Sequence, residues 1–106
     1  MRRGDLITIA LHGEYGKPRP ALVVQSDSLS DLKSVVVCPL TSKVRDCDFR
    51  VLLAPTSSTG LSRGSQVMVD KIVAIPLAKT GAVFGRVSEE KMREVDRALL
   101  VVVGLA

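Results

Sequence analysis

Sixteen valines and four isoleucines fall mostly in short runs divided by Gly, Pro, Ser and Asp, and this pattern constrains the fold more than any other feature of the chain. β-Branched side chains suit a pleated, half-buried surface, so a chain punctuated in this way is built chiefly of strands. Leu6–Leu11 reads as the first strand. Pro20–Gln25 reads as the second, after the loop His12–Pro18, which is rich in Gly, Pro and charge. Ser34–Leu40 has the continuous apolar run of a strand buried on both faces, and it should halt near Pro39, which has no N–H to give a ladder. Asp48–Leu53, a long strand Gln66–Ile75 ended by Pro76, and a short one over Ala82–Arg86 follow. Between them lie a polar turn with a short helical piece (Ser26–Lys33) and a Ser/Thr/Gly-rich loop (Ala54–Gly64).

The chain closes differently. Ser88 is placed to cap a helix, Glu89 and Glu90 would sit at the positive end of its dipole, and Met92, Val95, Leu99 and Val102, with Ala98 and Val103, repeat at helical spacing up to Gly104. With 106 residues and neither repeat nor linker, the economical architecture is a single domain over residues 1–106, a strand-rich barrel carrying one packed C-terminal helix.

Several chemistries are excluded by residue type alone. No apolar stretch approaches the roughly 18 residues of a membrane span, and Leu6–Leu11 is too short for the core of a signal peptide, so a cytosolic chain with no membrane partner is expected. Two cysteines, Cys38 and Cys47, and one histidine, His12, are too few for a four-ligand Cys/His zinc site within one chain. No Gly-x-Ser-x-Gly elbow is present, and Gly13-Glu14-Tyr15-Gly16-Lys17 lacks both the spacing of a phosphate loop and its following hydroxyl residue. Asp46 with Asp48, and Asp27 with Asp31, read as surface charges rather than a metal-binding nuclease cluster. No metal or cofactor is implied.

Charge points to a partner. The net charge is +4, yet Ser88–Val103 holds four acids and three bases, so the remaining residues carry +5. A basic body suits nucleic acid, although a charge of this size also serves solubility alone. With Tyr15 the only tyrosine, two phenylalanines and no tryptophan, an aromatic stacking platform is not available, and RNA recognition would rest on charge, hydrogen bonds and pocket shape. Arg19 is wedged between Pro18 and Pro20 at a loop-to-strand boundary beside Lys17, which suits either an ordinary surface arginine or a fixed anion ligand. Thr41-Ser42 follows Pro39-Leu40 at a strand end, where the hydroxyls either cap a turn beginning near Lys43 or face a ligand. Arg3-Gly4-Asp5 reads as the polar lead-in to the first strand.

Taken in order, Arg3-Gly4-Asp5-Leu6, Gly16-Lys17-Pro18-Arg19-Pro20-Ala21-Leu22-Val23-Val24-Gln25, Cys38-Pro39-Leu40-Thr41-Ser42, Gly60-Leu61 and Ser65-Gln66-Val67-Met68-Val69-Asp70-Lys71 resemble the MazF/PemK (Kid-like) toxins of type II toxin–antitoxin systems. The resemblance spans nearly the whole chain. It implies an SH3-like β-barrel with a C-terminal helix, a homodimer, and a metal-independent, sequence-selective endoribonuclease that cuts single-stranded mRNA and is held by a cognate antitoxin. In such enzymes the RNA's own 2′-hydroxyl attacks phosphorus, leaving a 2′,3′-cyclic phosphate and a 5′-hydroxyl, so no nucleophilic side chain is needed.

The resemblance also assigns residues. The family's functional arginine falls on Arg19 and its threonine on Thr41, with Ser42 a second donor. Asp70 matches an acidic position that some relatives use, and His12 lies one position away from a histidine that some relatives use. Lys17, Tyr15, Lys43 and Arg45 are the expected RNA contacts. Met68 stands where one branch has a second functional arginine, and Lys71 replaces the glutamine that often follows the acid, so the cleavage motif is expected to differ from that branch's. Two rivals remain: a gyrase poison of the related CcdB type, whose action would map to the C-terminal helix, and a non-catalytic RNA-binding regulator.

Overall fold

The computed structural model describes residues 1–10 and 17–106; His12 and Tyr15 lie outside them. Strands β1 (Asp5–Ile9), β2 (Arg19–Val23), β3 (Ser34–Thr41), β4 (Arg50–Leu53), β5 (Ser65–Met68), β6 (Val73–Pro76) and β7 (Thr80–Arg86) precede one helix, α1 (Glu89–Val102). All strand pairings are antiparallel, in the order β4-β5-β3-β2-β1-β7, with β6 pairing with β3 off that path. The fold is therefore mainly β with a C-terminal helix. The two ends of the path, β4 and β7, do not pair with each other, and β7 instead meets the loop after β4 through Arg86 N–H to Ser58 C=O at 2.8 Å.

Strand β3 organises the sheet and corrects two expectations. It runs through Pro39 to Thr41 rather than halting. One edge of β3 pairs with β6 up to Val37 and with β5 from Leu40, so on that edge Cys38 and Pro39 fall between two ladders, where a missing N–H costs no bond. The single strand expected over 66–75 is in fact two, separated by a 3-10 turn at Val69–Lys71. Val67 faces Leu40 while Val73 faces Val37, so six residues on one side pass three on the other, and the surplus bulges out at Asp70. An unbroken Val/Ile pattern hides such an insertion because Val69 still turns inward and is fully buried.

Alternation along β1, β2 and β3 feeds two apolar clusters. Leu6, Leu22, Cys38 and Leu40 pack with Val51, Val67 and Val69 under α1, while Ile7, Ile9, Ala21, Val23, Val35 and Val37 join Ile75 in the other. Burial on both faces matches the near-continuous apolar runs of β2 and β3. Cys38, at zero exposure, has its thiol pushed up to about 12 by desolvation, so it behaves as a small core hydrophobe.

Helix α1 begins and ends where its sequence signals lie. Ser88 Oγ accepts the Lys91 N–H at 3.2 Å, and Gly104, at φ +79°, closes the far end with Gly104 N–H to Val101 C=O (3.1 Å) and Leu105 N–H to Leu100 C=O (2.7 Å). Met92, Val95 and Ala98 are buried against β4 and the 69–71 turn, with Leu99 and Val102 packed beside them. Val103 departs from the expected stripe: it is the C-cap and half exposed. The Arg3-Gly4-Asp5 lead-in is a turn with Gly4 at φ +96°; Asp5 is buried and bonded to Arg86 (2.7 Å), and Arg3 pairs with Asp96 of α1. Among the described residues no helix is long and apolar enough to cross a membrane.

Candidate functional site

The pairing order β5-β3-β2 sets three chain segments side by side at one end of the sheet. Arg19 opens β2, Thr41 closes β3 with Ser42 and Lys43 just beyond it, and Ser62, Arg63 and Ser65 lead into β5. These residues, with Pro20, Leu40 and Leu61, line a groove of about 390 Å³. Its described lining holds three cations and four hydroxyls and no carboxylate. A second cavity of about the same volume, near the N-terminus, is different in kind: Leu32, Val35 and Leu77 line it beside Asp27.

Thr41 is held by the turn that it caps. Its Oγ1 accepts the Lys43 N–H at 3.1 Å, so the capping role open from the sequence is realised. That bond occupies an acceptor site and leaves the hydroxyl proton free to be donated, which fits an anionic ligand in the groove. Arg19 is exposed at the strand start, between two prolines that fix its backbone, and the bond pattern of β1 and β2 places it opposite Ile9.

The other sequence candidates are dispersed. Lys43 joins the groove. Lys17 is exposed and does not line it. Arg45 lies over a neighbouring hollow with Arg50, Lys91 and Glu94, its backbone clamped by the buried Gln66 side chain (Arg45 N–H to Oε1, 3.0 Å). Asp70 is also outside the groove: Arg50 grips it through both oxygens, at 2.9 and 3.1 Å, and these bonds hold its carboxyl below its ordinary pKa. No local pattern marks Ser62, Arg63 and Ser65, because only the β3–β5 pairing brings their loop to Thr41. Among the described residues no three His, Cys, Asp or Glu side chains converge as a metal site would need.

Residues 2–103 match the family model described as PemK-like, MazF-like toxin of type II toxin–antitoxin system. The chain belongs to this family. It is 44% identical, over all of its length and 99% of the relative's, to a probable endoribonuclease MazF of Mycolicibacterium smegmatis. It is 30% identical to the endoribonuclease MazF9 of Mycobacterium tuberculosis, covering 93% of this chain and 92% of that one. A solved mycobacterial endoribonuclease in complex with its cognate antitoxin superposes with a TM-score of 0.85 over all of this chain and 97% of its own, at 23% identity.

In this MazF-like toxin the Arg50–Asp70 pair has a testable electrostatic signature. Because the folded-state pKa of Asp70 is depressed, the pair's stabilisation is complete above the ordinary carboxylate pKa of about 3.9 and is lost as pH falls through the lower folded value. The pair is partly exposed, so the effect is about 1 kcal/mol or less. Asp70→Asn should melt slightly below wild type at neutral pH, and thermal unfolding followed from pH 7 to pH 2 should show the two curves converging below about pH 4. A constant difference across that range would remove the carboxylate from the account.

Proposed function

We propose that this chain is the toxin of a type II toxin–antitoxin pair and a metal-independent endoribonuclease of single-stranded mRNA, with Arg19 and Thr41 at the reacting phosphate. The observation that carries the reading is the groove itself: among the described residues its lining holds three cations and four hydroxyls and no carboxylate, at the strand ends where the family motifs fall. Such a lining attracts a polyanion and suits a reaction in which the substrate brings its own nucleophile. The 2′-oxygen bonds to phosphorus and loses its proton, the bond to the 5′-oxygen breaks, and that oxygen leaves as a hydroxyl after taking up a proton.

Charge concentrates on the non-bridging oxygens as phosphorus becomes five-coordinate. An arginine does not release its proton near neutral pH, so Arg19 acts as a fixed donor to that charge rather than as a base. Thr41, its acceptor side turned to Lys43, donates its proton to the same phosphate or orients the 2′-hydroxyl, and Ser42 is a further donor. Lys17, Lys43 and Arg45, with Tyr15, belong to the RNA-facing set in this reading, and His12 to the candidates for catalytic support. Asp70, turned to Arg50, acts in it through the turn that it holds.

The same reading includes a single toxin domain whose sheet is an SH3-like barrel, closed on one side by the 54–64 loop on β7 instead of a ladder. It includes a homodimer, for which the exposed Leu100, Val101, Val103 and Leu105 supply apolar surface, and a cytoplasmic setting. A cognate antitoxin inhibits by laying an acidic segment in the basic groove, and the +5 carried outside the helix favours that complementarity. The test is digestion of a long single-stranded RNA in EDTA with identification of the ends. Cyclic phosphate and 5′-hydroxyl ends are expected. Intact RNA across cellular mRNA and a broad synthetic set, or cutting only with added divalent metal, overturns the proposal.

A further inference from the structure

Resting on the endoribonuclease reading, we infer that Arg63 is a substrate-binding residue that holds an RNA phosphate next to the one being cleaved. Three observations support it. Arg63 lines the groove from the wall opposite Arg19, and Thr41 sits on the strand between them. Arg19 opens β2 and Arg63 lies in the turn just before β5, so the two arginines reach the groove from the strands on either side of β3, which ends at Thr41. A single strand lying in the groove with its reacting phosphate at Arg19 and Thr41 meets the Arg63 guanidinium at a neighbouring phosphate.

The second observation is charge. Arg63 has no acidic partner among the described residues, whereas Arg3, Arg50 and Arg86 each pair with an aspartate. Those three are spent on the fold; Arg63, an exposed cation beside Lys43, is available to an anion. The third is local order. Ser65 Oγ donates to Arg63 C=O at 3.1 Å, and the loop behind it is knotted by Thr59, whose Oγ1 donates to Ala54 C=O (2.9 Å) and accepts from Thr56 N–H (3.0 Å). A guanidinium on a held backbone loses less freedom on binding than one on a slack loop, and arginine's fork matches phosphate oxygens in pairs.

A contact to a phosphate that does not react is equally strong in the ground and transition states, so its loss raises KM and leaves kcat alone. The experiment uses the shortest oligonucleotide spanning a mapped cut site, in its cleavable form and with a 2′-deoxy residue at the scissile position so that it binds uncut. Arg63→Ala should raise KM and the Kd for the uncleavable RNA on the order of tenfold, keep kcat within about threefold, and lower the slope of log K against log salt by about 0.7. Arg63→Lys should keep the salt slope, because the charge remains. Unchanged Kd and slope in Arg63→Ala overturn the inference, as does a fall in kcat as deep as that of Arg19→Ala with Kd unaltered, which would put Arg63 at the reacting phosphorus. Wild-type protein that neither binds nor cuts RNA overturns the underlying reading, and this inference with it.

Discussion

Arg19→Ala should lower kcat on single-stranded RNA by on the order of 10²-fold or more while changing the Kd for an uncleavable RNA much less. The asymmetry follows from where charge appears. In the ground state the phosphate carries one negative charge shared by its non-bridging oxygens, and as the 2′-oxygen attacks, more charge gathers on them; a donor already in place is worth most at that moment. Arg19 is in place because Pro18 and Pro20 restrict the backbone on both sides and β1 pairs with the strand that it opens. Arg19→Lys should recover part of the rate, since it returns a charge without the planar fork. The residue is exposed, so the melting temperature should move little, in line with surface substitutions of about 0.5 kcal/mol or less. Single-turnover rates at saturating RNA decide the matter. If Arg19→Ala retains a rate within a few-fold of wild type while wild type cuts in EDTA, Arg19 is not at the reacting phosphate.

Periodicity made the mainly β architecture legible because β-branched runs and Gly/Pro breaks act locally, and Ser88 and Gly104 marked the helix ends for the same reason. What the sequence concealed depends on pairing between distant segments. Pro39 reads as a strand stop until β3 is seen to change neighbours at that point, and the 69–71 bulge is masked by Val69, which keeps the apolar rhythm while leaving the ladder. The site divides the same way. Arg19 and Thr41 stand in motifs that can be read in the chain, whereas Arg63 is an ordinary loop arginine until β5 pairs with β3 and swings it to the groove. Asp70 stands in a readable motif, whereas its partner Arg50, twenty residues upstream, is brought to it only by the fold.

The loop that carries Arg63 is fixed to β7 by a contact only glycine permits, and Gly85→Ala should therefore damage both stability and RNA binding. A Cβ at position 85 would stand 1.9 Å from the Thr59 carbonyl oxygen and 2.4 Å from its carbon. Both are backbone atoms that no rotamer change can move aside. Nor can the loop yield locally, since Thr59 is tied to Ala54 and Thr56, and Gly60, at φ +66°, is itself packed so that a Cβ there would lie 2.4 Å from Phe84 C=O. Relief requires the loop to lift from β7, breaking the 2.8 Å bond from Arg86 N–H to Ser58 C=O and carrying Leu61, Ser62 and Arg63 out of register with Thr41. Overpacking of this kind costs about 1–3 kcal/mol, which for a domain of this size lowers the melting temperature by on the order of 10 °C. Below that temperature the folded variant should bind uncleavable RNA about as weakly as Arg63→Ala does. Gly64→Ala is the internal control: a Cβ there has only Leu53 C=O nearby, at 4.0 Å, and melting should stay close to wild type. If Gly85→Ala melts and binds like Gly64→Ala, the loop does not depend on β7, and the groove wall that presents Arg63 is held by something other than this contact.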